Sequence, residues 1–593
     1  MNDRARDMSF GATLLATGQT RFRLWAPDSE AVQVVVEDGP SIAMARQAEG
    51  WFEVTASVGA GTRYRFQVSA DLRVPDPAAR AQDHDVHGPS VVVDHAAYVW
   101  QHPGWVGRPW HEAVIYELHV GTLGGFAGVA AQLERLAELG VTIVELMPIA
   151  DFPGPRNWGY DGVLPYAPDT AYGSPDALKA LVDTAHGLGL MVMLDVVYNH
   201  FGPDGNYLGG YASGFYRHDR KTPWGDALDF RRPQVRRFFI ENAVSWILDY
   251  RIDGLRFDAV HAIDDADFLQ EMAAEIRAAA GPDRHVHLVL ENEENDAALL
   301  RQHAGGPGFD AQWADDLHHC VHVMLTGEHE AYYEDFAKAP AELLARCLQD
   351  GFAFQGEVSR HTGGRRGTPS RHLPATSFVI CLQNHDQIGN RAFGERIGAL
   401  AHPDALRAAT VLLLMTPQIP LLFMGQEWAA PVPFLYFSSH HDELAEAVRQ
   451  GRRQEFARFA AFADPEKRAR IPDPNHPDSF AASIPDPARI SQEEHGAWFD
   501  FHRSLLALRR HEITPYMAGA TALAAEAIGP AAVRASWRLH GGSKLTVLAN
   551  LGPEPVACAV AAGRSVFATR SRSAGDALAG YGAEVTIADG AHD

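Results

Sequence analysis

The 593-residue chain lacks most of what would tie it to a membrane, a nucleic acid or an oxidising compartment. It contains no run of about 18 apolar residues, so no membrane-spanning helix is expected. Its first ten residues, MNDRARDMSF, have no apolar segment, so no secretory signal is expected there. Lysine and arginine total 51 against 75 acidic residues, a formal net charge of −24, which argues against nucleic acid or an anionic membrane as partner. The four cysteines, Cys320, Cys347, Cys381 and Cys558, are scattered with no C-x-x-C pair. That spacing points to reduced structural thiols in a cytoplasmic protein. No internal repeat is visible, and the glycines of Gly121–Gly128 lack the spacing of a dinucleotide loop.

The sequence has the bulk of a multidomain globular protein, with 46% hydrophobic and 21% charged residues. From about Ala12 to Val93 it alternates as short strands: Arg21–Trp25, Ala31–Val36, Trp51–Thr55 and Tyr64–Val68. Turn formers such as Asp38-Gly39-Pro40 separate them, and a β-sandwich is expected over 1–104, packed on its neighbour through Trp25 or Trp51. His102–Trp110 reads as the linker.

Beyond it, apolar strands alternate with helices, the pattern of a parallel sheet that eight units would close into a (β/α)8 barrel over 105–510. The strands are Val114–His119, Val141–Met147, Leu190–Val196, Gly254–Asp258, Val286–Glu291, Phe378–Gln383 and Ile419–Met424; Gly308–Trp313 and Gly351–Gln355 compete for the sixth position. Val129–Gly140, Ala177–Leu188, Pro233–Asp249 and Asp267–Ala280 read as helices, and Ile471–Ile490 as an irregular loop. A small β-domain over 511–593, with strands Val533–Leu539 and Leu545–Leu551, ends the chain.

Four strands end abruptly in polar groups: Asp195–His200, Gly254–His261, Leu288–Asn292 and Leu382–Gln387. In such a barrel the strand C-termini converge on one mouth. Cleaving a glycosidic bond with retention needs an ionised carboxylate and a protonated carboxyl on either side of it. Asp258 follows Arg256 on the same strand face, and the guanidinium is expected to hold it ionised. Glu291 ends the apolar run His287–Leu290, so burial is expected to raise its pKa; strand position favours it over Glu293 and Glu294. His385 and Asp386 suit sugar hydroxyls and a cationic transition state. Asp195 and Asn199 read as scaffold, with His200 reaching the sugar.

These four segments resemble the signature regions of the α-amylase superfamily. The resemblance implies that Asp258 is the nucleophile, Glu291 the proton donor and Asp386 the transition-state stabiliser. It also implies that His200, Arg256 and His385 contact the sugar and that Tyr160 stacks on it. His119–Thr122, Asn157–Asp161, Asp310–His319 and Pro433–His441 are similar to those of the maltooligosyltrehalose trehalohydrolase family. That likeness adds Phe257, Ala259, Val260, His261, Ala262, Gln312, Trp313, Asp315, Asp316, Gln387, Ile388, Gly389 and Asn390 to the substrate site. It implies hydrolysis of the α-1,4 bond beside a terminal trehalose unit, with no cofactor, alongside a maltooligosyltrehalose synthase. Trp313, Asp315, Asp316 and Pro433–His441 are expected to form one wall that reads the trehalose end.

No metal is expected. His318-His319 and His440-His441, read as strand pairs, point to opposite faces. The rival readings are a glycogen branching or debranching enzyme with the same carboxylates, and a non-catalytic glucan-binding protein. Iodine staining of amylose separates the first rival, and inertness towards every α-glucan would favour the last.

Overall fold

The computed structural model describes residues 8–301, 308–457, 459, 462, 464–572 and 576–590. At the N-terminus two antiparallel sheets face each other. Gly11–Leu14, Thr20–Trp25, Trp51–Ala56 and Ala45–Arg46 form one, and Ser41–Ala43, Gln33–Val36, Arg63–Gln67 and Arg73–Val74 lie in the other. Strand alternation sends Phe22, Leu24, Val34, Phe52, Tyr64 and Phe66 between the sheets, all buried. The sandwich docks on the helix Pro233–Asp249. Phe10 meets Phe238 edge-on at 5.1 Å and Ser9 N donates to the Glu241 carboxylate. Trp25 lies against Phe215, whereas Trp51 acts through Phe10.

Residues 102–110 differ from a loose linker. Trp105 stacks on His186 and donates to Asp253, His102 bonds Asp183, and the Arg108 carbonyl pairs with His287. The segment is thus a strap across the N-terminal end of the barrel.

The barrel strands are β1 (Ile115–Leu118), β2 (Ile143–Leu146), β3 (Met191–Val196), β4 (Gly254–Phe257), β5 (His287–Leu290), β6 (Ala311–Trp313), β7 (Phe378–Cys381) and β8 (Ile419–Phe423). Each pairs in parallel with the next, and β8 closes on β1 with Ile115 opposite Leu421. The sixth strand is therefore the segment ending at Trp313. Gly351, in the competing segment, caps the helix Pro340–Asp350 with φ 96°.

Two excursions carry short strands that the sequence pattern did not reveal. They are the pair Ala150–Asp151 and Leu164–Pro168 after β2, and the hairpin Tyr216–Thr222 and Gly225–Leu228 after β3. The expected helix over Val129–Gly140 is instead two, Gly125–Ala130 and Leu133–Leu139. A five-stranded antiparallel sheet, ordered Thr521–Gly529, Ala532–Arg538, Lys544–Asn550, Ala583–Ala588 and Arg564–Ala568, packs on the helix Pro340–Asp350. Arg509 fastens that end of the chain. Its buried guanidinium donates to the carbonyls of Leu414, Thr416 and Gln418, just ahead of β8. No helix among the described residues is long and apolar enough to cross a membrane.

Candidate active site

The site grows from residues one step beyond the strand ladders. Asp258 N bonds Val196 O and Glu291 N bonds Phe257 O, so both carboxylates leave the sheet at the same level. Between them stands Arg256, fully buried. Its Nη1 donates to Asp195 at 2.7 and 2.8 Å and to Asp258 at 3.0 Å. Nη2 lies 2.8 Å from Glu291 Oε2, an ion pair without hydrogen-bond geometry, and the guanidinium sits 4.1 Å above the Trp313 ring. Trp313 is 4% exposed, so it both lines the cleft and backs the arginine. Two nitrogens of one guanidinium thus gather Asp258 and Glu291.

The protonation pattern reverses the expectation from sequence. Burial, then Glu291, push Asp258 well above the usual carboxylate range, and Arg256 does not offset them. Burial also raises Glu291, but Arg256 and the N–H of Ala259 outweigh it and bring Glu291 below its ordinary value. Ala259 adopts a left-handed conformation (φ 41°, ψ 49°) that aims its N–H at Glu291 Oε2, 2.9 Å away. The apolar run before Glu291 gives no sign of these two donors.

Asp386 lies in a short helix, His385–Gly389, capped by Asn384, whose side chain accepts from Asp386 N and Gln387 N while Gln387 reciprocates. His385 is stacked on Tyr160, which donates to Asp195. Asp195 thus serves as scaffold. His200 donates to Tyr160 O and lies flat against Trp224 at the hairpin tip, 4.9 Å between centroids. Burial lowers its pKa to about 4, so the ring is neutral. Asn199 is buried with both side-chain polar atoms unpartnered.

Beside the carboxylates opens a cavity of about 240 Å³, lined by His261, Trp313, Asp315, Gln387 and Asn390 among the expected residues. Burial, then Glu291 and Asp386, push Asp315 up to about 7. The opposite wall comes from the excursion after β6, through Tyr332, Asp335, His361 and Arg366. No motif surrounds these four in the sequence, which is why they were missed.

Several expected contacts lie beneath the site instead. Gln312 is inaccessible and donates to Asn292 O and Asn295 Oδ1. Asp316, also inaccessible, accepts from Asn295 and Ala353 N and pairs with Arg366 at 2.7 Å. Phe257 packs on Tyr198 and Phe309, and Val260 and Ile388 are buried. Ala259 acts through its backbone, and Ala262 is half-buried. Gly389 lets the Trp158 indole approach: a Cβ there would sit 2.0 Å from the ring.

The single wall expected from Trp313 and Pro433–His441 does not exist. Phe434 stacks on Trp158 and Leu435 O accepts from its indole, so that segment props the Trp158–Asp161 side and is absent from the cavity lining. His318 and His319 lie on the helix Asp315–Thr326, not a strand. His318 bonds Leu382 O and Tyr333, and His319 lines the cavity. His440 and His441 lie in a loop, His440 3.3 Å from Asp161.

Comparison with known proteins places these features in context. Residues 114–214 match the α-amylase catalytic domain, 9–75 match carbohydrate-binding module 48 (isoamylase N-terminal domain), and 520–585 match a domain of unknown function, DUF3459. A malto-oligosyltrehalose trehalohydrolase from Deinococcus radiodurans is 42% identical over 516 residues, spanning 85% of this chain and 83% of its own. One from Mycobacterium tuberculosis is 36% identical over 583 residues, 94% and 96% of the two chains. The crystal structure of a putative α-amylase from Salmonella typhimurium superposes with a TM-score of 0.93 at 43% identity, covering 98% of this chain and 100% of that one.

Proposed function

Because the chain belongs to the malto-oligosyltrehalose trehalohydrolases of the α-amylase superfamily, we propose that the cleft described above is where it hydrolyses the α-1,4 bond next to a terminal trehalose unit. It releases trehalose and a maltooligosaccharide. The observation that carries this assignment is the gathering of Asp258 and Glu291 on one guanidinium, with Asp386 on the same cavity. Carboxylates held so close suit the short separation of a retaining mechanism, about 5–5.5 Å.

In the first step the Asp258 carboxylate attacks the anomeric carbon and the C–O bond to trehalose breaks. The departing O4 of trehalose takes the proton of Glu291. In the second step water attacks that carbon, Glu291 recovers a proton from it, and the bond to Asp258 breaks. For the first step the proton has to leave Asp258 and reside on Glu291, the reverse of the order that burial, Arg256 and the Ala259 N–H favour. Asp386 and His385 face the sugar hydroxyls and the developing positive charge. Trp313, Asp315, Gln387, Asn390 and His261 contact the trehalose side, and Tyr160 and His200 the glucan side. Gln312, Asp316, Phe257 and Ile388 support them from below.

The chain divides into a glucan-binding sandwich over 1–104, the barrel over 105–510 and a C-terminal β-domain over 511–593. Four unpaired cysteines fit a reducing cytoplasm. A substrate ending in an α,α-1,1 linkage requires an enzyme that makes that linkage, so the protein works downstream of a maltooligosyltrehalose synthase. The test is product analysis with maltotriosyltrehalose: trehalose and maltotriose in equal amounts are expected, the new end emerging in the α form. Branched or transferred products without trehalose would replace this reading with that of a branching enzyme.

A further inference from the structure

Glu117 lies in the apolar strand β1 and is 1% exposed. A carboxylate there is costly unless a charge meets it. Its partner is His385, 268 residues away: Oε1 is 2.5 Å from Nδ1, and Oε2 accepts the backbone N–H of the same residue at 3.2 Å. The other ring nitrogen, Nε2, lies 3.4 Å from Asp386 Oδ1. A neutral imidazole has one N–H and one lone pair, so between two carboxylates it would set that lone pair against one of them. Only the imidazolium offers a donor to each. Tyr160 stacks on its face, and Trp158 and Trp313 close around it.

We propose that Glu117 is a positioning residue for the reaction: acting through His385, it keeps a fixed positive charge beside Asp386, so that this carboxylate stays ionised as the sugar becomes cationic. The inference rests on the assignment of Asp258, Glu291 and Asp386 made above. The charged groups acting on the ring come from every side: Glu117 from β1, Glu145 from β2, Asp195 from β3, Arg256 from β4, Glu291 from β5 and Asp386 from its own turn, with His119 nearby. Burial opposes the charge, but Asp386 and Glu117 outweigh it and push the ring up to about 10. Glu145, paired with Glu117 in the strand register, is inaccessible with both oxygens unpartnered. Burial, then Glu117, drive its pKa well up, whereas Glu117 itself has a cationic partner in His385.

Glu117→Gln keeps an acceptor for Nδ1–H and removes the charge. The ring's pKa then falls from about 10, because burial still opposes the charge and, of Asp386 and Glu117, only Asp386 is left to raise it. A group whose pKa is raised in the enzyme does its work below that pKa, so the limb that moves is the alkaline one. We expect kcat at neutral pH to fall about tenfold or more and the alkaline limb to move down by about one pH unit or more, with little change in KM. Glu117→Asp, which retains the charge, should return the limb to its parental position. A uniform loss of kcat with an unmoved limb would overturn the inference, as would an Asp variant displaced like the Gln variant. If Glu117→Gln does not fold, the ¹⁵N shifts of His385 in the parent enzyme, assigned against His385→Asn, decide: a doubly protonated ring at pH 8 supports the proposal and a neutral ring overturns it. The underlying assignment fails separately, if Asp258→Asn retains turnover.

Discussion

Asp315 starts the helix Asp315–Thr326, where a negative charge is ordinarily favoured. Burial, Glu291 and Asp386 override that preference and push its pKa from 3.8 up to about 7. The folded protein therefore binds a proton that the unfolded chain has released. The stability linked to it is complete below about pH 4 and disappears as pH rises through about 7. Asp315→Asn removes this dependence, so its Tm relative to the parent should improve between pH 5 and pH 8; a constant difference across that range would contradict the burial argument. At this scale the sequence was legible wherever an acid ended an apolar strand, as at Asp258, Glu291 and Asp386. It was misleading one position away from a residue that lines the cavity. Gln312 precedes Trp313 and Asp316 follows Asp315, yet strand alternation and the helix turn aim the two inward. Glu117 could not be read at all, because its meaning depends on a histidine 268 residues along the chain.

The excursions that shape the cavity are fastened from below by Asp316. It receives Asn295 from the turn after β5, and Ala353 N and Arg366 from the excursion after β6. Asp316→Ala leaves the half-buried Arg366 guanidinium without its carboxylate and two donors without acceptors. A loss of roughly 3–5 kcal/mol is expected, with cleavage of trehalose-ended and plain chains reduced in equal proportion. Denaturant unfolding and paired kinetics on the two substrates measure both; a selective loss on the trehalose-ended chain would instead make Asp316 a reader of substrate. Among elements, the buried parallel strands were legible because each is a short continuous apolar run. The helix Pro233–Asp249 was bounded by its N-terminal proline. The hairpin Tyr216–Thr222 and Gly225–Leu228 was not found, since its residues are largely polar and only Ala227 and Leu228 are buried. The segment 102–110 looked like a linker because proline and glycine also suit a strap whose conformation is fixed by what it crosses.

The sandwich supplies no strand-end carboxylate to the cleft but covers a face of the helix Pro233–Asp249 with Phe10 and its neighbours. Removal of residues 1–104 should lower Tm by several degrees and leave the ratio of trehalose to other products unchanged. A truncated protein as stable as the parent, or one that cuts a different bond, would show that the module does something else. One feature of the whole ring bears on how the protein comes into being. Its seam joins the first strand to the last: Ile115 pairs with Leu421, and Tyr116 donates to Glu427 across 311 residues. The clasp that secures the last strand, Arg509, is made later still. At about 5–20 residues per second, a ribosome needs on the order of tens of seconds to pass from one side of the seam to the other. Throughout that interval β1 offers an unpaired edge, and Glu117 waits for a histidine that has not yet been translated. The cleft proposed for catalysis is therefore among the last parts to form, and a chain arrested before the eighth strand carries all three carboxylates without the closed ring that holds them.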